Sequence, residues 1–171
     1  FVMKKQFLII AFFGLLSIPV ISQKYAFIDT KYILSQMPEY TTAQKEIDDM
    51  AEKWQKEIEQ QYNEIEQKYK AYQAEEILLP EETKKTRQQE IIELEMKAKE
   101  MQKKRFGVEG DLFKKRKELI DPIQEKIYKA VKQLAKDNSY SFILDKSKNS
   151  NIIYAEPKYD KSDAVLRKIN N

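Results

Sequence analysis

Two apolar stripes at helical spacing run through otherwise charged sequence and meet at Leu78-Leu79-Pro80. The first is Ile47, Met50, Trp54, Ile58, Tyr62, Ile65, Tyr69 and Tyr72. The second is Ile91, Leu94, Ala98, Met101, Val108, Leu112, Leu119, Ile123, Ile127, Val131 and Leu134. Steps of three and four residues place such side chains on one face of an α-helix. Two such helices around a proline turn predict a long antiparallel hairpin with gentle supercoiling. A hairpin this thin cannot bury its own surface, which points to a protein that binds other proteins and away from an enzyme.

The first helix is expected to start near Tyr40-Thr41-Thr42 on a threonine cap and to run to Pro80, about 40 residues or roughly 60 Å. The second is expected from Glu81 to Asn138. Pro80 fits its first turn, and Glu81 and Glu82 sit well near the positive end of the helix dipole. Gly107 and Gly110 interrupt it, each costing up to ~1 kcal/mol against Ala. Asp121-Pro122 predicts a kink or break. Arg105 and Lys115 or Arg116 fall where the stripe expects apolar residues. The seam is therefore weakest from Met101 to Leu119, which reads either as a flexible joint or as an irregularity tolerated on an exposed helix.

Charge separates the two segments. Glu39 to Leu79 holds 5 basic and 11 acidic residues, and Glu81 to Asn138 holds 16 basic and 12 acidic. Opposite signs favour pairing of the two with each other, as a matter of registry more than stability. Lys103, Lys104, Arg105, Lys114, Lys115, Arg116 and Lys117 form a basic patch around the glycines. It suits acidic clients or peripheral contact with anionic membrane lipids, or it is simply the solvated face beside the acidic helix.

The chain has no Cys and no His. That removes disulfides, thiol chemistry, the commonest metal ligand and any Ser-His or Cys-His nucleophile. Its carboxylates are spread along polar helix faces. No cofactor, metal or catalytic site is expected, and the reading is of a non-enzyme. Lys+Arg number 31 against 28 for Asp+Glu, too balanced for a nucleic-acid binder.

The ends carry a different pattern. Lys4 and Lys5 precede an apolar run from Phe7 to Ile21, with Val20 and Ser22 at the −3 and −1 positions of a cleavage site. Residues 1–22 are thus expected to be a cleavable export signal starting at Met3, with Phe1 and Val2 as upstream read-through. The run is shorter than the roughly 20 residues a spanning helix needs. Lys24-Tyr-Ala-Phe-Ile-Asp29 is expected as a strand, followed by a short helix capped by Thr30 and ended by Pro38. Tyr140 to Asp145 is a second strand, Lys146 to Asn151 a polar turn, and Ile152-Ile-Tyr154 a third strand ended by Pro157. Ser162-Asp163 caps a last helix through Ile169.

The expected fold is therefore mainly α with a small β body. Residues 23–39 and 139–171 form that body, and 40–138 form a helical arm with its tip near 78–82. Tyr25, Phe27, Ile28, Phe142, Leu144, Ile152 and Tyr154 are candidates for oligomerisation of the body, because three short strands without disulfides bury too little alone. Tyr62, Tyr69, Tyr72, Ile77, Leu78, Leu79, Met96 and Phe106 are candidates for client binding. Tyrosines where a tight seam prefers Leu or Ile suit a surface that touches varied partners.

This ordered set resembles the OmpH/Skp family of periplasmic chaperones. The resemblance is carried by Tyr25-Ala-Phe-Ile-Asp29, Ile33-Leu34, Met37-Pro38-Glu39-Tyr40, Asp121 to Ile127, Ala130-Val131, Ala135-Lys136, Tyr140 to Ser147 and Ile152 to Tyr154. It implies a homotrimer whose β body joins three helical arms around a cavity that holds unfolded outer-membrane proteins in the periplasm without ATP. Members of the family tend to have strongly basic arms. Without residues 1–22 this chain has 29 basic and 28 acidic residues, so apolar and aromatic contacts carry more of the expected capture. The alternative is a cell-envelope coiled-coil adaptor or structural protein that binds one fixed partner.

Overall fold

The computed structural model describes residues 23–148 and 152–170. The expected export signal lies outside the described residues. β1 (Lys24–Ile28) leads into a short helix α1 (Thr30–Ser35). The long helix α2 (Pro38–Glu75) follows, closed by a 3-10 turn over Glu76–Leu78. Then come α3 (Glu81–Phe106), α4 (Asp111–Asn138), β2 (Tyr140–Asp145), a 3-10 turn at Pro157–Tyr159, and α5 (Ser162–Ile169). None of the described helices is long and apolar enough to cross a membrane.

Several expected boundaries move, for local reasons. Asp29, not Thr30, caps α1, its carboxylate accepting from the Tyr32 amide at 2.9 Å. Thr30 instead bonds Asp145 through both its amide and its hydroxyl. The short helix ends at Ser35, just before Pro38, and Pro38 also opens α2 as its first residue, ahead of the expected start near Tyr40. A proline there gives up an amide that would be unpaired anyway, and its fixed φ is already helical. Thr42 is one turn inside, its hydroxyl bonded to the Pro38 carbonyl at 3.0 Å.

The glycines split the second long segment into α3 and α4. Gly107 caps α3 with its amide on the Lys103 carbonyl at 2.8 Å, and Gly110 donates to the Gly107 carbonyl at 2.9 Å. A Cβ on Gly107 would collide with the Lys103 carbonyl oxygen, and one on Gly110 would lie 2.8 Å from the Lys104 oxygen. Between them Glu109 takes a positive φ of 57°. This is a bend closed by backbone hydrogen bonds. Pro122, by contrast, sits inside α4 without ending it. The one hydrogen bond it forfeits is outweighed by the buried row Ile120, Ile123, Ile127 on either side.

β1 and β2 pair in parallel, with Tyr25 opposite Phe142 and Ile28 opposite Asp145. The other edge of β1 bridges to Asp160 beside Phe27. The third strand expected at Ile152–Tyr154 is not formed; residues 152–156 are irregular. The chain meets the sheet a few residues later, where the Lys161 amide donates to the Phe27 carbonyl at 2.9 Å.

Two cores result. One gathers Ile28, Ile33, Met37, Ala43 and Ile47 against Ile120, Ile123, Ile127, Ala130, Leu134 and Val165. The other holds Ile65, Tyr72, Ile91 and Ala98, with Leu79 and Leu94 packed on it. Ion pairs between α2 and its neighbours run Arg87–Glu75, Lys68–Glu90, Lys115–Glu46 and Lys126–Glu39. Partners on α2 fall in number as those on α3 and α4 rise.

Candidate functional site

The seam takes only part of each stripe. Tyr72 is buried at 5% exposure. Its hydroxyl donates to Glu76 at 2.9 Å and accepts from the Gln88 amide at 2.7 Å. It packs between α2 and α3, the place the stripe gives it, and is the most covered of the eight client candidates. Leu79 is half-buried against the same core. The other six client candidates are exposed: Tyr62, Tyr69, Met96 and Phe106 along the helices, and Ile77 at 93% and Leu78 at 84% in the turn. Tyr69, Gln88, Ile92 and Glu95 border a shallow hollow of about 360 Å³ together with Tyr72 and Ile91.

Val108 belongs to the second stripe by spacing, yet it is fully exposed. The glycine bend explains this: it takes Val108 off the helix and turns it outward. Ile92, Phe113 and Tyr128 are further exposed apolar side chains that the stripe pattern did not mark. Each follows an apolar neighbour: Ile91, Leu112 or Ile127. Adjacent helical residues point about 100° apart, so only one of such a pair faces in. That doubling is the signal by which the sequence could have disclosed them.

The polar interruptions of the second stripe are resolved by pairing. Arg105 donates to Asp111 at 2.6 Å across the bend and lies over the Trp54 ring, 4.5 Å from its centroid. Phe106 meets the same indole edge-on at 6.4 Å. Lys115 pairs with Glu118 at 3.1 Å and Glu46 at 3.2 Å, and these carboxylates hold its ammonium above the usual lysine range. Of the expected basic patch, Arg105 and Lys115 are therefore spent on internal pairs, and Lys117 approaches Asp121 at 3.7 Å. Lys103, Lys104, Lys114 and Arg116 are exposed on the two sides of the bend.

At the sheet, the oligomerisation candidates divide in the same way. Phe27 and Ile28 are buried within the chain. Ile28 joins the large core, and Phe27 lies in a strand paired on both edges. Of the seven oligomerisation candidates, these two are packed within the chain's own core. Tyr25, Phe142, Leu144 and Tyr154 are exposed, and Ile152 is half-buried. Tyr25 stacks between Phe142 at 6.3 Å and Tyr159 at 5.0 Å. Tyr25, Leu144, Ile152, Tyr154 and Tyr159 line one apolar hollow of about 520 Å³.

A profile of the family described as "Outer membrane protein (OmpH-like)" matches residues 24–169. No curated protein matches the chain. Among solved structures, that of an OmpH-like outer membrane chaperone from Caulobacter crescentus CB15 superposes with a TM-score of 0.69. It covers 86% of this chain and 84% of its own, at 10% sequence identity, so the likeness is one of fold. With the family profile spanning nearly every described residue, the chain belongs to the OmpH-like outer membrane protein family.

Proposed function

We propose that this protein is an ATP-independent holdase that binds unfolded outer-membrane proteins in the periplasm and keeps them from aggregating. The observation that carries the reading is the exposed apolar and aromatic surface of α2, α3 and the turn between them, above all Ile77, Leu78, Tyr69 and Met96. A helical pair whose packing at this end draws on Ile65, Tyr72, Ile91 and Ala98 with Leu79 and Leu94 leaves those side chains available to a partner.

In this proposal α2 pairs with α3 and α4 as an antiparallel arm spanning 40–138. Residues 23–39 and 139–171 are the body, and residues 1–22 are the export signal. Three bodies join through the exposed Tyr25, Phe142, Leu144 and Tyr154. Each client contact is weak, but three arms on one body raise the effective concentration of contacts, so holding is multivalent. A protein that binds only unfolded chains lowers their aggregating population without an energy source. The basic residues left exposed at the bend add attraction for acidic client segments or anionic lipid.

The test is dilution of a urea-unfolded outer-membrane protein into buffer with and without this chain while light scattering is followed. Suppression at a threefold molar excess of chains is expected, and undiminished scattering would overturn the reading. Ile77→Ser with Leu78→Ser should weaken suppression without changing the melting midpoint. Light-scattering mass at micromolar concentration tests the trimer separately.

A further inference from the structure

The outward ridge of α3 has a pattern that holding varied clients does not require. Glu81, Lys85, Ile92, Met96, Lys103 and Phe106 are all exposed and recur at helical spacing on one face. The ridge is acidic and apolar at the turn, where Glu81 and Glu82 lie beside Ile77 and Leu78. It is basic and apolar at the glycine bend, where Lys103 and Lys104 lie beside Phe106 and Val108. Its centre is apolar, with Ile92 and Met96 exposed. The turn and the bend lie about 14 residues either side of Leu94, roughly 21 Å each at 1.5 Å per residue.

We propose that this ridge is an interface for a second copy of the chain, with two arms laid side by side in opposite directions over α3. Reversing one copy sets its acidic tip on the other's basic bend. The two-fold axis then falls at Leu94, so that Ile92 of each copy meets Met96 of the other. The tip-to-bend contact forms twice, as a symmetric pair demands. Arms laid in the same direction would instead put Glu81 and Glu82 on themselves and Lys103 and Lys104 on themselves, so charge selects the reversed arrangement. Glu81 already reaches Lys84 at 2.7 Å, but that acid is solvent-facing and its partner can be exchanged. One ridge residue works against the pairing: Lys85 would face Lys103. The inference rests on the arm reading above, and it adds that arms of separate assemblies associate tip to bend.

Because the chain has no cysteine, single thiols can be placed at will. Leu78→Cys and Val108→Cys chains, each folded by circular dichroism, are mixed and treated with a short bismaleimide. The expected product is the mixed Leu78→Cys to Val108→Cys pair, in at least several-fold excess over the tip-to-tip pair. Lys103→Glu with Lys104→Glu on the Val108→Cys chain should abolish it. Glu81→Lys with Glu82→Lys on the Leu78→Cys chain should then restore it, and Lys85→Glu on the native background should raise the yield. A dominant tip-to-tip product would overturn this proposal while supporting arms held side by side on one trimer. No crosslink, crosslinking only after unfolded client is added, or loss without rescue would each overturn it too. Aggregation suppression, measured on the same variants, reports on the holdase reading independently.

Discussion

The two ends of the helical pair are packed to very different depths. Near the sheet, eleven buried residues drawn from β1, α1, α2, α4, α5 and the α1–α2 link close around Ile33, Ile47 and Val165. Near the turn, four buried residues from α2 and α3 alone close around Ala98. The first core ties the two ends of the chain to its middle. The second is made from residues close in sequence on either side of one turn. Apolar burial supplies most of the stability, so the larger core should set the global melt, and the helical pair near the turn should open at lower free energy.

Isoleucine truncation probes this contrast most strongly. Ile47 is fully buried, and Ile47→Ala should cost about 2–5 kcal/mol in global unfolding. Ile91 is almost as buried, but Ile91→Ala should barely move the global midpoint and should instead speed amide exchange around Tyr72 and Ala98. Denaturant unfolding with hydrogen exchange separates the two. Equal midpoint losses would mean that body and arm unfold as one unit.

The boundary between the regions is the Arg105 contact. Arg105→Ala removes an ion pair to Asp111 and a cation–π contact to Trp54, together about 1–2 kcal/mol. The chain has one tryptophan, so its emission reports this site directly. A red shift in the folded state, with α2 still helical by circular dichroism, is expected. An unchanged spectrum would mean that the indole does not depend on the guanidinium for its cover.

Acid should act mainly through two partly buried carboxylates near the sheet, because the lowered carboxylates of the helical pair, Glu66 and Glu90, are exposed and screened by solvent. At Asp145 partial burial favours the neutral acid, but hydrogen bonds from Thr30 and Ser147 outweigh it and hold the carboxyl below the usual range. At Asp160 burial is likewise outweighed, by Ser162 and then Lys146. A carboxylate with a depressed folded value stabilises the fold above its unfolded value, near 3.9, and that contribution is lost as pH falls through the folded value. Thermal midpoints should therefore hold down to about pH 4 and fall below it. Asp145→Asn should flatten the decline, and a decline beginning near pH 6 would count against this assignment.

How far the fold could be read from sequence follows the same divide. Periodicity located α2 and α5 but ran α3 and α4 together as one helix, because a helix facing one neighbour repeats its apolar residues and a short backbone bend leaves much of that repeat in place. It placed the sheet strands at Lys24–Ile28 and Tyr140–Asp145 because β-branched and aromatic residues cluster there. It failed at Ile152–Tyr154, where the same composition makes no ladder. It held at Tyr72 and failed at Val108. A tyrosine can bury its ring when Glu76 and Gln88 satisfy its hydroxyl, and a valine in register with a stripe is lost to it once a glycine bend intervenes. Spacing also cannot say which of Phe27 and Phe142 faces the chain's own core, because that depends on which elements cover the strand.

The smallest expected effect concerns the exposed charge pairs that cross between helices in both regions. Lys68 meets Glu90 at 2.6 Å in the arm, and Lys126 meets Glu39 at 3.2 Å in the body. Lysine 68 and its partner are both about half exposed, so water and salt screen the attraction, and ordering two long side chains opposes it. Lys68→Ala should leave the midpoint within experimental error of the native chain, at low salt and at high. Reversal is more informative than deletion. Lys68→Glu sets like charges together where the packing beneath is thinnest, so it should speed exchange in the arm. Adding Glu90→Lys should return exchange to the native rate. The same reversal at Lys126 and Glu39, over the large core, should be silent. If both reversals are silent, the opposite charges of α2 and its partners contribute solubility and not registry.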